Sequence, residues 1–281
     1  DTCKRQEPNK EELTKIYTDL EFRNFIQKLN GEPKKEAAVT TASLQFDLFA
    51  QAPEEPSAPK SVSDITSVQH TYHLADTAEK QMALAELLAK QSAFAFDTET
   101  EGLEPLTAPL VGMSFAIKEH EAWYVPVPAD PQGTAEIVHR FASVLSHKDI
   151  QKIGQNIKFD ILVLRKYGVK VAGPLFDTMI AHYLLNPELH HGMDYLAETY
   201  LNYKPVPIEQ LIAPKGKKQG SMRNVPIEEI KEYAAEDADI TLQLKSYFEP
   251  LMKQEDVESL FYDMEMPLIY VLAEMEATGV K

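Results

Sequence analysis

Two carboxylates at the end of an apolar run are the first residues whose types and spacing could do chemistry. The stretch Phe94-Ala95-Phe96-Asp97-Thr98-Glu99-Thr100-Glu101-Gly102-Leu103 reads as a short strand that delivers Asp97 and Glu99 at its end. Residues i and i+2 of a strand point to the same face, so both acids leave the sheet together. Carboxylates that close repel each other unless a cation sits between them, and a divalent metal with oxygen ligands answers that need. A strand ending in a solvated acidic turn would give the same pattern. Two later stretches can supply partners. In Ile153-Gly154-Gln155-Asn156-Ile157-Lys158-Phe159-Asp160 a buried strand ends at Gly154, Asn156 turns the chain, and Asp160 enters the first turn of a helix. An Asp at that place also serves simply as a cap or dipole partner. In Tyr233-Ala234-Ala235-Glu236-Asp237-Ala238-Asp239, Tyr233 and Asp237 stand one helical turn apart on a shared face, and the alanines keep the helix slim where it must approach the sheet. Glu236 and Asp239 point elsewhere by helical spacing and are expected in solvent; Tyr233 could equally be an ordinary half-buried tyrosine. Asp97, Glu99, Asp160 and Asp237 together would balance two dications with hard oxygen ligands. No His or Cys set has zinc spacing, since His190-His191 are adjacent in a loop and Cys3 stands alone.

The elements that must position these residues belong to a chain of 281 residues, enough for one large domain or two small ones. Hydrophobic content of 44% supports a core, and no apolar run approaches a membrane-spanning length. The chain begins at Asp1, shows no signal-peptide pattern and stops at Gly279-Val280-Lys281, as a piece of a longer polypeptide would. A single cysteine excludes an internal disulfide framework and fits a reducing cytoplasm. The formal charge of −16 argues against a protein that coats nucleic acid generally, yet allows an enzyme that gathers carboxylates for metals; it also suits plain solubility.

Residues 1–30 contain a helical pattern from Glu11 to Leu29 whose apolar face has nothing of its own to cover it. Residues 31–65 have linker composition, with Pro33, Pro53, Pro56 and Pro59 among Ala, Ser, Glu and Lys. One apolar island, Leu44 to Ala50, interrupts them. Residues 66–250 read as one compact α/β domain. Strands are expected near Thr71–Leu74, Ala93–Asp97, Leu110–Ile117, Ala122–Val127 and Ile150–Gly154, the third and fourth forming an antiparallel hairpin. Helices are expected over Thr77–Lys90, Gly133–Ser146, Lys158–Lys166, Thr178–Leu185, Met193–Tyr200 and Pro226–Phe248, with a polar loop at 202–224. Residues 251–281 carry a further helical stripe interrupted by Pro267, which again lacks enough partners.

Asp-x-Glu on a strand, Asp after a strand–Asn turn and Tyr-x-x-x-Asp on a helix resemble the three motifs of the DEDD 3′–5′ exonucleases, and Tyr233 places the chain with the tyrosine subgroup. Phe94–Thr100, Gly154–Asp160, Phe176-Asp177-Thr178-Met179 and Tyr233–Leu244 resemble the exonuclease domain of bacterial family A DNA polymerases. The flanks agree: residues 1–30 look like the end of that family's 5′-nuclease domain, and Glu265–Val280 looks like the start of its polymerase domain. The resemblance implies a ribonuclease H-like (DnaQ-like) α/β fold with a mixed central sheet flanked by helices. It implies two divalent ions, Mg2+ or Mn2+, about 4 Å apart. Asp97, Glu99 and Asp237 would hold the first, and Asp97 and Asp160 the second. Tyr233 and Glu99 would orient the attacking water, releasing nucleoside 5′-monophosphates from the 3′ end of single-stranded or frayed DNA.

Leu103 matches an apolar residue that wedges against terminal bases, and Gln155 and Asn156 match polar residues along the strand path. Lys215, Lys217, Lys218 and Arg223 could meet phosphates or form a solvated basic loop. Phe159 departs from the tyrosine often found before this Asp, which puts in doubt a hydroxyl contact and no metal ligand. In the linker, Gln45-Phe46-Asp47-Leu48-Phe49 resembles the pentapeptide that docks bacterial replication proteins on the sliding clamp, with Gln45, Leu48 and Phe49 as anchors. The implied protein is a monomer of the bacterial cytoplasm and nucleoid with no membrane contact. Neither 5′-nuclease nor polymerase activity is expected of these 281 residues, although the parent chain would be a DNA-directed DNA polymerase of replication and repair. Two readings compete. One is a stand-alone ribonuclease D-like exonuclease acting on RNA, against which the flank from Met266 argues. The other is an inactive structural spacer, against which the four retained acids argue.

Overall fold

The computed structural model describes residues 13–16, 62–213 and 220–279. The chain divides into two units, Asp1–Ala58 and Pro59–Lys281. In the first, residues 13–16 are helical; the remainder of the expected Glu11–Leu29 helix and the Leu44–Ala50 island lie outside the described residues. The second unit holds the α/β fold.

Its centre is a six-stranded sheet built from β2 (Thr71–Leu74), β3 (Ala93–Thr100), β4 (Leu110–Lys118), β5 (Glu121–Pro126), β6 (Gln151–Gly154) and β7 (Leu175–Asp177) in the order β2-β5-β4-β3-β6-β7. A separate two-residue strand β1 (Ser63–Asp64) pairs with β8 (Tyr203–Lys204). The sheet is mixed: β3–β4 and β4–β5 are antiparallel, while β2–β5, β3–β6 and β6–β7 are parallel. Strand β4 is buried from Leu110 to Ala116, which is why it reads as a continuous apolar run and not as an alternating one. The hairpin to β5 turns through Glu119-His120, with His120 in the left-handed region at φ 64°. Phe94, Phe96 and Phe115 meet edge to face in the core, and Phe115 stacks on Phe141.

The helices are α1 (Ala78–Leu88), α2 (Pro131–Arg140), α3 (Ile157–Arg165), α4 (Thr178–Leu185), α5 (Ile227–Gln254) and α6 (Met266–Thr278), with shorter turns between them. Thr77 caps α1 and Asp130 caps α2. Helix α5 runs 28 residues and crosses β3, β4 and β5. It continues through Pro250 and ends at Gln254, six residues beyond the expected end at Phe248. Proline removes one backbone hydrogen bond, but Phe248 and Met252 on either side are fully buried, and their packing carries the helix on. Strand β7 was not expected: three residues, all buried, are too short to show a period.

The stripe after residue 250 finds partners on one side. Pro267 occupies the first turn of α6, where it is tolerated, and Phe261, Met266, Ile269 and Ala273 join the main core. Tyr270 donates to the Gly173 carbonyl at 3.0 Å, and Arg165 pairs with Glu274. The opposite side of α6 leaves Leu268, Val271, Leu272 and Met275 exposed.

Candidate metal centre

Strand β3 builds the site because both of its faces are used. Asp97 and Glu99 share one face, and α5 lies across it. Ala234, Ala235 and Ala238 are fully buried, so the helix rests close to the sheet and brings Asp237 down onto the two strand acids. One carboxylate oxygen from each of Asp97, Glu99 and Asp237 lies within 4.8 Å of the others. Across the ladder Glu99 faces Gly112, where a Cβ would stand 2.3 Å from the Tyr124 ring; glycine makes the room that lets Tyr124 lie beside the acids.

Thr98 points to the other face and holds Asp160. Its hydroxyl donates to Asp160 Oδ1 at 2.5 Å and its backbone N–H to the same oxygen at 3.0 Å. Asp160 is buried near Asp97, whose charge is the second cause that raises its pKa after burial. The four acids thus meet at the end of β3, three as a tight cluster and Asp160 alongside Asp97.

Their electrostatics are unfavourable in the protein alone. Burial pushes Asp97 up to about 6. Burial and then Asp97 push Glu99 well up; burial, Glu99 and Asp97 do the same to Asp237. Among the described residues, two buried side-chain atoms have no hydrogen-bond partner, Glu99 Oε1 and Ser114 Oγ, and Ser114 stands directly opposite Asp97 on β4. A cluster of hard oxygen donors, mutually repelling and with one carboxylate oxygen unpartnered, fits a divalent cation. Tyr233 is raised far above its usual pKa by burial and by Asp237, Glu99 and Asp97, so it stays a neutral phenol; its hydroxyl hydrogen-bonds Asp237.

The expected substrate residues fall into different surroundings. Leu103 is 78% exposed on the loop after β3. Gln155 donates to the His191 carbonyl at 2.7 Å and contacts the Thr178 hydroxyl. Asn156 sits in the left-handed region at φ 57°. Lys215, Lys217 and Lys218 lie outside the described residues, as do Gln45, Leu48 and Phe49. Arg223 differs from the expectation of a phosphate-facing side chain. Its guanidinium bonds Glu101 at 2.9 Å, the Val127 carbonyl at 3.1 Å and the Leu110 carbonyl, so each of its three nitrogens has a partner inside the protein.

Glu236 and Asp239 are buried, not solvated as expected. Glu236 accepts from the Tyr203 hydroxyl at 2.5 Å and the Val206 N–H at 2.8 Å. Asp239 accepts from the Tyr72 hydroxyl and the His120 N–H, both at 2.8 Å. These acids tie the outer side of α5 to the 203–206 segment, to β2 and to the hairpin turn. Helical spacing separates them from Asp237 correctly but carries no sign of what covers the other faces. Thr98 was missed for the same reason, its partner being 62 residues away.

Fold and acid cluster together define a nuclease-type domain, one whose sheet end presents carboxylates for divalent metal. A family model described as 3′-5′ exonuclease matches residues 72–253. The chain belongs to this family, the 3′–5′ exonuclease domain of DNA polymerase I. It is 37% identical to DNA polymerase I of Chloroflexus aurantiacus and 35% identical to that of Pseudomonas aeruginosa, over 95% and 97% of this chain and 29% of each relative. The chain thus spans under a third of the length of these relatives. Among solved structures, Brucella melitensis NrnC with bound Mg2+ shares the fold at a TM-score of 0.58 and 20% identity, covering 75% of this chain and 95% of that one. The POL domain of Pol1 from M. smegmatis, in complex with DNA primer-template and dNTP, shares it at a TM-score of 0.57 and 20% identity, over 74% of this chain and 32% of that one. The fold is the ribonuclease H-like exonuclease fold, with its mixed sheet and flanking helices. No helix among the described residues is long and apolar enough to cross a membrane.

Proposed function

We propose that this domain hydrolyses the last phosphodiester at the 3′ end of single-stranded or frayed DNA and releases nucleoside 5′-monophosphates, as the proofreading part of a longer DNA-directed DNA polymerase. The observation that carries the reading is the meeting of Asp97, Glu99 and Asp237 within 4.8 Å. Asp97, Glu99 and Asp237 would hold one Mg2+ or Mn2+, and Asp97 with Asp160 a second. Bound there, the ions would supply the Lewis-acid charge that activates a water and offsets charge building on the phosphate.

The chain's own residues orient the reactants. Tyr233, kept neutral by burial and by its acidic neighbours, donates its phenol O–H to Asp237, and its oxygen can accept a hydrogen bond from the incoming water. Glu99 Oε1, buried without a protein partner, can accept a hydrogen from the same water. Thr98 fixes one oxygen of Asp160 and leaves its carboxylate oriented toward Asp97. Leu103 offers an exposed apolar surface to the terminal base, which suits a splayed single strand better than a duplex. Gln155 and Asn156 would line the strand path, and Lys215, Lys217 and Lys218 would meet phosphates.

In the longer protein, residues 1–30 would close a 5′-nuclease domain, 31–65 would form the linker that offers Gln45, Leu48 and Phe49 to the sliding clamp, 66–250 would be the exonuclease domain and 251–281 would open the polymerase domain. The exposed side of α6 fits that last assignment. The protein would work as a monomer in the bacterial nucleoid. The deciding experiment digests 3′-labelled single-stranded DNA, with matched RNA alongside, in Mg2+, in EDTA and with Asp97→Ala. Release of labelled mononucleotide from DNA only with metal and only by the parent is expected. An Asp97→Ala protein that degrades DNA at the parent's rate would overturn the reading.

A further inference from the structure

A further buried acid, outside the four assigned to metal, holds the frame in which Asp160 stands. Asp177 is 1% exposed and lies at the end of β7, directly across the ladder from Gly154 at the end of β6. Its carboxylate accepts four backbone N–H groups from two helices. Oδ1 takes Met179 at 2.9 Å and Ile180 at 3.2 Å, which caps α4. Oδ2 takes Ile157 at 2.8 Å, and Oδ1 also takes Asn156 at 3.2 Å. Helix α3 has no side-chain cap of its own: Asn156 precedes it in the left-handed region and its side chain makes no capping bond. The first amide of α3 is therefore satisfied from the neighbouring strand, 20 residues away in sequence.

The position of α3 is tight in other ways. A Cβ on Gly154 would stand 2.7 Å from Ile157, so strand end and helix start touch with no slack. Thr178, next to Asp177, donates to the Gly154 carbonyl at 3.2 Å. Asp160 lies one turn into α3, and Thr98 holds it from the other side. A carboxylate that fixes both helix starts to the ends of β6 and β7 sets where Asp160 can stand relative to Asp97.

We propose that Asp177 is a positioning residue of the metal centre: by capping α3 and α4 with one carboxylate, it places Asp160 for metal binding. The inference rests on the proposed metal role of Asp160. Asp177→Asn keeps one oxygen and can cap α4, but puts an NH2 where the second oxygen met an N–H. Asp177→Ser keeps a good N-cap for α4 and is too short to reach Ile157.

The test measures Mn2+ binding without substrate by electron paramagnetic resonance, amide hydrogen exchange at Ile157, and the melting temperature. In both variants the second Mn2+, the one assigned to Asp97 and Asp160, is expected to bind about 10- to 100-fold more weakly, as removal of a group that orients a ligand does, while the first is held as in the parent. Ile157 exchange should accelerate at least about tenfold, the loss expected of one amide bond to a charged acceptor, while Met179 stays protected in Asp177→Ser. A folded variant with the parent's Mn2+ isotherm overturns the inference. Asp160→Ala serves as the control for the underlying reading: if it leaves the isotherm unchanged, the metal role of Asp160 falls, whereas a shift with Asp160→Ala and none with Asp177→Ser sinks the Asp177 inference alone. Should neither variant fold, the parent still decides, because fast exchange of Ile157 in the folded protein is incompatible with a capped amide.

Discussion

Removing one of the clustered carboxylates should stabilise the metal-free protein while destroying hydrolysis. Asp97 has a folded pKa of about 6 against an ordinary value of 3.8, with burial as the main cause. A raised acid favours folding only in its neutral form. Its penalty is absent below about pH 3.8, grows as pH rises through about 6, and is complete above that. A gap of about 2 units corresponds to about 3 kcal/mol at most. Asp97 is half-buried, so solvent trims this, and about 1–3 kcal/mol is the working range. Asp97→Asn removes that penalty and also the repulsion that Asp97 exerts on Glu99, Asp237 and Asp160. For a domain of this size the gain is about 3–10 °C in melting temperature. The assay is calorimetric melting of parent and variant, stripped of metal, at pH 4 and at pH 8. The variant should melt higher at pH 8 and level with the parent at pH 4. Added Mg2+ should then raise the parent and leave the variant unmoved; saturation at about 100 times Kd is worth about 2.7 kcal/mol. A variant that melts at or below the parent at pH 8, or a difference that does not grow from pH 4 to pH 8, refutes the argument that this cluster is held under charge strain.

Thr98→Val removes the hydroxyl on Asp160 Oδ1 and leaves the backbone N–H; hydrolysis should need about 10- to 100-fold more Mg2+, read from metal titrations of the rate. Arg223→Ala leaves Glu101 and two carbonyls short of a donor, so stability should fall by about 1–3 kcal/mol in urea melts. The salt dependence of DNA binding should not change; a shallower salt slope at unchanged stability would show instead that Arg223 meets phosphate. Leu48→Ala with Phe49→Ala should abolish binding of the linker to the sliding clamp in a surface-binding assay, and clamp binding equal to the parent's would remove the docking motif.

Alternation along β3 was legible as far as one face. Asp97 and Glu99 are two residues apart, and the rule that puts them together needs no knowledge of the rest of the chain. Tyr233 and Asp237 are legible in the same way, because i and i+4 share a helix face whatever covers it. The α4 boundaries, Thr178 to Leu185, follow from a local cap and a local period. What was hidden depends on partners far away in sequence. Glu236 and Asp239 obey helical spacing, yet their burial is decided by Tyr203, Val206, Tyr72 and His120, none of which a local window contains. Arg223 was hidden by Glu101, 122 residues earlier. The expected end at Phe248 fell short because Met252, beyond Pro250, is buried in the core and holds the helix on.

Thr98 shows where the two kinds of information join. The alternation that sends Asp97 and Glu99 toward α5 must send Thr98 away from it, and the away side is where α3 arrives with Asp160. A single strand therefore holds the acids of both faces: two directly, one through a hydroxyl and an amide on the residue between them, and one because α5 can settle onto its alanines. The rigidity of the centre then lies in the sheet more than in the helices. Changes at Thr98 and Asp177, both buried, should for that reason act on metal affinity before they act on binding of the DNA end.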